Sequence, residues 1–173
     1  MIRGIRFLAA KMQIQKQDSA DVISFSQVSS CGNVGILLRL IHTVPDHSMQ
    51  WLWEGWEDGP WTGDTLADGL YDSEPLRLFL ERNAHQSLET GGFFGVPKGT
   101  DPLPAAKPQT YAEFLASPFQ IALIFCDSYD FDVYVKDPAL TGKMLLALET
   151  IDADLSEMED ITDDNDRRSG LSP

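Results

Sequence analysis

The chain is poor in cysteine and has no long apolar run, and both absences narrow the class of protein. Cys31 and Cys126 are the only cysteines in 173 residues, and they lack the close spacing of a zinc or redox motif. No stretch approaches the roughly 18 apolar residues of a membrane-spanning helix. The N-terminus lacks the charged, apolar and small-residue regions of a secretory signal peptide. These absences predict a cytoplasmic protein with two ordinary thiols.

Basic residues are also scarce. Thirteen Lys and Arg stand against 27 Asp and Glu, which gives a net charge of −14 and a pI near 4.4. So acidic a chain repels phosphate groups, and we therefore expect no direct binding to DNA, RNA or an anionic membrane. The composition, with 43% hydrophobic residues, is typical of a globular domain that can bury a core without disulfides.

The negative charge is concentrated in two regions. Residues 40–76 contain eight acids and no Lys or Arg, whereas residues 149–173 contain nine acids and two Arg. The remaining residues together carry a net charge of about +1, so the acidity does not belong to the whole surface. The first of these regions also contains all four Trp residues.

The hydrophobic pattern predicts an α+β protein. Strands are predicted at residues 2–8, 21–28, 49–54, 87–96, 119–126, 131–135 and 158–162, and helices at residues 33–41, 75–83, 110–116 and 138–151. Asn33, Thr110 and Asp137 are the predicted N-caps. We expect one compact domain over residues 1–166, with a mixed, mainly antiparallel sheet, three to four packed helices and a loose tail at residues 167–173.

The four Trp residues divide into two pairs. Trp51 and Trp53 share one face of a predicted strand, which favours burial. Trp56 and Trp61 fall in a Gly, Pro and Asp-rich turn, where burial is harder. One interpretation is that all four indoles close one end of the core. The other is an exposed partner-binding surface, because Trp is strongly enriched at binding hot spots; its candidate residues are Trp56, Trp61, Glu54, Glu57 and Asp58.

Both ends of the chain resemble one known family. The matching segments are Arg3-Gly4-Ile5-Arg6-Phe7, Ile161-Thr162-Asp163-Asp164-Asn165-Asp166-Arg167-Arg168 and, between them, Thr110-Tyr111 with Glu113-Phe114-Leu115 and Val133-Tyr134-Val135-Lys136-Asp137. They resemble a small bacterial family of unknown function, best known from Bacillus-type bacteria. The likeness covers about the last 65 residues well. It implies a small cytoplasmic α+β protein with no known activity and no established catalytic residues.

Metal binding is a weaker hypothesis. Asp127, Asp130 and Asp132 follow an apolar strand, and hard cations such as Ca²⁺ or Mg²⁺ prefer grouped oxygen ligands. Asp is equally an ordinary turn residue, so the turn interpretation stays open beside the metal one. His42, His47 and His85 form no ligand pattern, and the chain contains no phosphate loop, dinucleotide fingerprint or nucleophile elbow. We therefore expect no cofactor.

The leading hypothesis is a non-enzymatic protein, similar to immunity proteins, that binds a basic protein partner through the Trp and acidic surface. Carboxylates would steer and pair with the partner, and the indoles would anchor it. The partner would be a toxin or a nucleic-acid-binding protein. Two alternatives stay open: a mimic of nucleic acid that inhibits such a protein, and a metal-dependent hydrolase that uses the clustered Asp residues. The sequence leaves the oligomeric state open.

Overall fold

The computed structural model describes residues 20–27, 32–45, 47–55, 66–102, 107–126, 130–149 and 153–154. Strands and helices alternate irregularly along these residues. In chain order the elements are β1 (Asp21–Gln27), α1 (Asn33–His42), β2 (Met49–Gly55), β3 (Gly69–Asp72), α2 (Ser73–Arg82), β4 (Gly91–Pro97), α3 (Tyr111–Ala116), β5 (Ile121–Cys126), β6 (Asp130–Val135), α4 (Pro138–Leu148) and β7 (Ala153–Asp154).

All the described strands join one antiparallel sheet in the order β3-β2-β4-β5-β6-β1-β7. The apolar segment predicted as a central strand becomes β5, in the middle of the sheet, and it pairs with β6 as the predicted hairpin. β1 returns from the start of the described chain to lie beside β6. The predicted α+β domain, with four helices packed on an antiparallel sheet, is therefore confirmed.

One face of the sheet, called the helix face here, is covered by α1, α2 and α4. Alternate strand residues such as Trp53, Phe93 and Phe125 point to it, and Leu37 and Leu40 of α1 pack there without solvent exposure. Each such side chain contributes roughly 1.5–3 kcal/mol by leaving water. The buried apolar residues of α4 are Leu140, Met144, Leu145 and Leu148.

The opposite face carries a smaller cluster under the short helix α3. Phe94, Ala122 and Tyr134 of the sheet pack against Phe114 and Tyr111. The Phe114 and Tyr134 ring centroids are 5.8 Å apart.

Two polar side chains fasten α3 to the sheet. The Tyr111 hydroxyl donates to the Ala20 carbonyl and accepts from the Ala20 amide, both at 2.8 Å. Lys136 Nζ donates to the carbonyls of Leu115 at 3.0 Å and Ser117 at 2.7 Å. Cations near a helix C-terminus satisfy its last carbonyls. Burial lowers the pKa of Lys136 below its ordinary value.

The predicted caps of α3 and α4 are confirmed. Thr110 Oγ1 accepts a hydrogen bond from the Glu113 amide at 3.2 Å, and Asp137 Oδ1 accepts from the Ala139 amide at 2.9 Å. The Glu113 carboxylate accepts from the Gln109 amide at 2.6 Å, one residue before the cap. The sequence signature of a capping box thus places the helix start correctly.

The predicted N-cap of α1 is wrong by one residue. Gly32 occupies the cap position, and Asn33 is the first helical residue. The buried Asn33 amide instead pairs with the Leu88 backbone, donating to its carbonyl at 2.7 Å and accepting from its amide at 2.8 Å. A Cβ at position 32 would lie 1.9 Å from the Gln86 carbonyl oxygen, so this close approach requires glycine.

The C-terminal boundary of α4 also differs from the prediction. α4 ends at Leu148 rather than near residue 151, and the two-residue strand β7 follows it. The predicted strands at residues 2–8 and 158–162, the domain limit at residue 166 and the tail lie outside the described residues. In the described part of the chain, no helix is long and apolar enough to cross a membrane.

Candidate functional site

The acidic and aromatic segment connects two neighbouring strands at one edge of the sheet. In the β2–β3 register, Trp53 lies opposite Gly69, so both ends of the connection meet at the same end of the edge. Trp56, Trp61, Glu57 and Asp58 belong to that connection and lie outside the described residues. Glu54 lies opposite Gly92 in the β2–β4 register, and its side chain is likewise outside what the structure describes.

Trp51 and Trp53 belong to the core, as their shared strand face predicts. Their exposed fractions are 0% and 3%. The Trp53 ring lies 4.5 Å from Phe93 and 6.2 Å from Phe125 between centroids. These two indoles are therefore unavailable to a partner, and any binding role of the Trp cluster falls to Trp56 and Trp61.

The two buried indoles also position the edge of the sheet. Trp51 Nε1 donates to Ser73 Oγ at 3.1 Å, and Ser73 Oγ donates to the Met49 carbonyl at 3.0 Å. This chain of hydrogen bonds holds the start of α2 against β2. Trp53 Nε1 donates to the Leu66 carbonyl at 3.1 Å, which fixes the chain just before β3. Buried indole N–H groups need such partners.

The glycine-rich stretch of β4 makes room for these rings. Gly91 and Gly95 share the helix face with Phe93, and a Cβ at position 91 would lie 2.9 Å from the Trp53 ring. A Cβ at position 95 would lie 3.2 Å from the Trp51 ring. The sequence offered a signal for this role, because the two glycines are four residues apart in a strand and so face the same side.

The exposed surface of the edge alternates acid and leucine. Leu70 of β3 is 36% exposed and lies opposite the half-buried Leu52 of β2. Asp72 is exposed, and its Oδ1 accepts from Gln50 Nε2 at 3.1 Å and lies 3.3 Å from Lys98 Nζ. Asp68, also exposed, immediately precedes β3.

The structure describes two of the three predicted metal candidates. Asp130 and Asp132 stand two residues apart on β6, exposed and half-buried respectively, and Asp127 lies outside the described residues. Within the residues that the structure describes, no group of three or more His, Cys, Asp or Glu residues has the geometry to hold a metal ion.

The histidines and the described cysteine form no common site. His42 Nε2 lies 3.7 Å from Glu81 Oε1 on the helical surface, and His47 and His85 are exposed. Cys126 ends β5 as a free, half-buried thiol. Cys31 lies outside the described residues.

The C-terminal part of the chain is similar to a known family. Residues 100–172 match the sequence model of a family described as a protein of unknown function, DUF2691, which confirms the resemblance to a family of unknown function. The matched region includes α3, β5, β6, α4 and β7, whereas the β2–β3 edge precedes it. No curated protein and no solved structure matches the chain.

Proposed function

We propose that this protein is a non-enzymatic binding protein that engages a basic protein partner at the β2–β3 edge. The observation that carries the proposal is the charge of residues 40–76, which hold eight acids, four Trp and no base. Three of those acids, Asp68, Asp72 and Glu74, are exposed around β3. Clustered carboxylates attract a basic surface and select against acidic ones.

The burial of Trp51 and Trp53 sharpens the proposal. These indoles fill the core, so the anchoring role passes to Trp56 and Trp61, which the chain holds between two strands fixed in register. Aromatic anchors surrounded by charge are typical of binding hot spots. The proposed biological role is neutralisation of a basic toxin or nucleic-acid-binding protein in the cytoplasm, as immunity proteins do.

The test combines affinity capture with matched variants. The tagged chain is used to isolate a basic protein from the native host, and the identified protein is then purified and titrated against each variant. We expect Trp56→Ala to weaken binding at least about tenfold, because hot-spot truncations cost about 2 kcal/mol or more. Glu57→Gln with Asp58→Gln tests the charge contribution, and Glu113→Gln with Glu149→Gln, two exposed acids on α3 and just after α4, is the control of equal charge change.

The control variants decide between a surface and general acidity. Equal weakening by both pairs of acid substitutions would show that net charge alone attracts the partner. Unchanged affinity in Trp56→Ala and in Glu57→Gln with Asp58→Gln would exclude this surface. If the protein mimics nucleic acid, its affinity for the partner must also fall steeply with added salt. DNA must then compete with this protein for the partner.

A further inference from the structure

We propose that the outer edge of β3 accepts one extended, basic segment of the partner as an added strand, an inference that rests on the proposed function. Among the described strands, β3 pairs only with β2. Within the described residues no strand pairs with its other edge, so the backbone groups of that edge can pair with a second chain. Strand addition to a sheet edge is a common way to bind extended peptides.

The side chains of this edge specify what the added strand must carry. Residues two apart share a strand face, so Leu70 and Asp72 point to the same side, and the exposed Asp68 immediately precedes the strand. The edge thus presents an exposed leucine with an exposed acid two residues before it and another two residues after it. The complementary strand carries a basic, an apolar and a basic residue at alternate positions, because directly opposed unlike charges and apolar pairs favour strand pairing.

At the apolar position of this edge, Leu70 and Leu52 form one apolar surface. Leu70 is 36% exposed and stands beside Leu52 in the register. An apolar side chain on the added strand would cover both leucines. At the charged position, the described contacts of Asp72 both use Oδ1, so its second carboxylate oxygen is available to a basic side chain.

The neighbouring sequence favours the same occupant. The connection that leads into β3 carries Glu57, Asp58 and Asp64, and Glu74 follows β3 in the first turn of α2. Negative charge attracts a segment that carries Lys or Arg and gives no attraction to an acidic or neutral one.

A designed peptide tests the edge directly. The probe is the acetylated and amidated peptide Thr-Arg-Thr-Leu-Thr-Arg-Thr, titrated into the full chain and followed by amide chemical shifts and hydrogen exchange. We expect shifts concentrated at Gly69–Asp72 and slower exchange of amides in that strand. Slowed exchange reports a backbone ladder, which side-chain contacts alone would not produce. The same peptide with Glu in place of Arg is the charge control.

Two exposed leucines supply matched variants. Leu70→Lys places a like charge opposite the peptide and should weaken its binding at least about tenfold. Leu78→Lys, at a 45% exposed position on α2, makes the same change away from the edge and should leave binding unaltered. Hydrogen exchange is measured on the unmodified protein, so it tests strand addition even if Leu70→Lys fails to fold.

The outcomes separate this inference from the proposed function. No shifts up to about 1 mM peptide, equal binding of the Glu peptide, shifts centred away from β3, or equal effects of the two Lys variants would each overturn strand addition. If binding of the natural partner still depended on Trp56, the proposed function would stand although strand addition was excluded. Partner binding that ignored Trp56, Glu57 and Asp58 would instead remove the proposed function.

Discussion

The two faces of the sheet are held by different means. In the described residues, the helix face buries 24 apolar side chains in one cluster beneath three helices, whereas the opposite face buries ten beneath the six-residue helix α3. On the helix face, rings such as those of Trp53 and Phe93 pack among aliphatic side chains. On the opposite face, Tyr111 and Lys136 add hydrogen bonds to backbone groups.

The difference follows from helix length, because a longer helix buries more apolar side chains than a short one. A helix of about ten residues presents a full apolar stripe and is stabilised by burial. α3 presents only Tyr111 and Phe114 as buried side chains, so it depends on specific polar partners as well. We therefore expect truncation of a buried apolar side chain to cost more on the helix face than on the opposite face.

The largest effects should come from adjacent phenylalanines that point to opposite faces. Phe93 and Phe94 are both 0% exposed, so they form a matched pair in one strand. We expect Phe93→Ala to lower the free energy of unfolding by about 4–5 kcal/mol and Phe94→Ala by about 3–4 kcal/mol, because a cavity costs more where the surroundings cannot collapse. Urea denaturation measures both, and a reversed order would contradict the comparison of the two faces.

A polar contact on the helix side should give the next largest effect. Asn33→Ala removes both hydrogen bonds to the Leu88 backbone and leaves buried groups unsatisfied. We expect a loss of about 2–3 kcal/mol in the free energy of unfolding. Ser48→Ala is the control, because Ser48 also bonds a backbone carbonyl but is exposed; it should cost under about 0.5 kcal/mol. Similar losses in the two variants would show that burial does not set the cost.

The smallest of the three effects should come from the tie between α3 and β1. Tyr111→Phe keeps the ring and removes the hydroxyl that pairs with Ala20. We expect a loss of about 1–2 kcal/mol and faster hydrogen exchange at the Ala20 amide.

Tyr71→Phe is the control for this substitution. Its hydroxyl donates to the Ala67 carbonyl at an exposed site, so its loss should cost under about 0.5 kcal/mol. If the Ala20 amide exchanged at the same rate in Tyr111→Phe and in the unmodified protein, the hydroxyl would not fasten α3 to the sheet.

Most strands and helices were predictable because each carries a local signal. The spacing of Val34, Leu37 and Ile41 predicts α1, and the Asp137-Pro138 pair predicts the start of α4. The role of Asn33 was not predictable, because its partner Leu88 is 55 residues away and the cap position lies only one residue earlier. Local sequence preference indicates that Asn can cap a helix. It does not indicate whether backbone groups far along the chain form hydrogen bonds with that Asn instead.

The candidate site was predictable in part. Alternation in β2 predicted that Trp51 and Trp53 share a buried face, and the structure confirms it. The edge position of β3 was not predictable, since strand order depends on which strands pair across the whole sheet. The alternation of Asp68, Leu70 and Asp72 is visible in the sequence, but it gains meaning only once β3 is known to border the sheet.

The sequence by itself determined the charge distribution, the identity of most elements and the likeness to a family of unknown function, because composition, periodicity and motifs are local properties. The tertiary structure decided which aromatic residues are buried in the core and why Gly91 and Gly95 are glycines. It also decided which of the described strands lies at the edge of the sheet. These depend on contacts between residues far apart in the chain, as when the indole of Trp53 occupies the space that a side chain at Gly91 would fill.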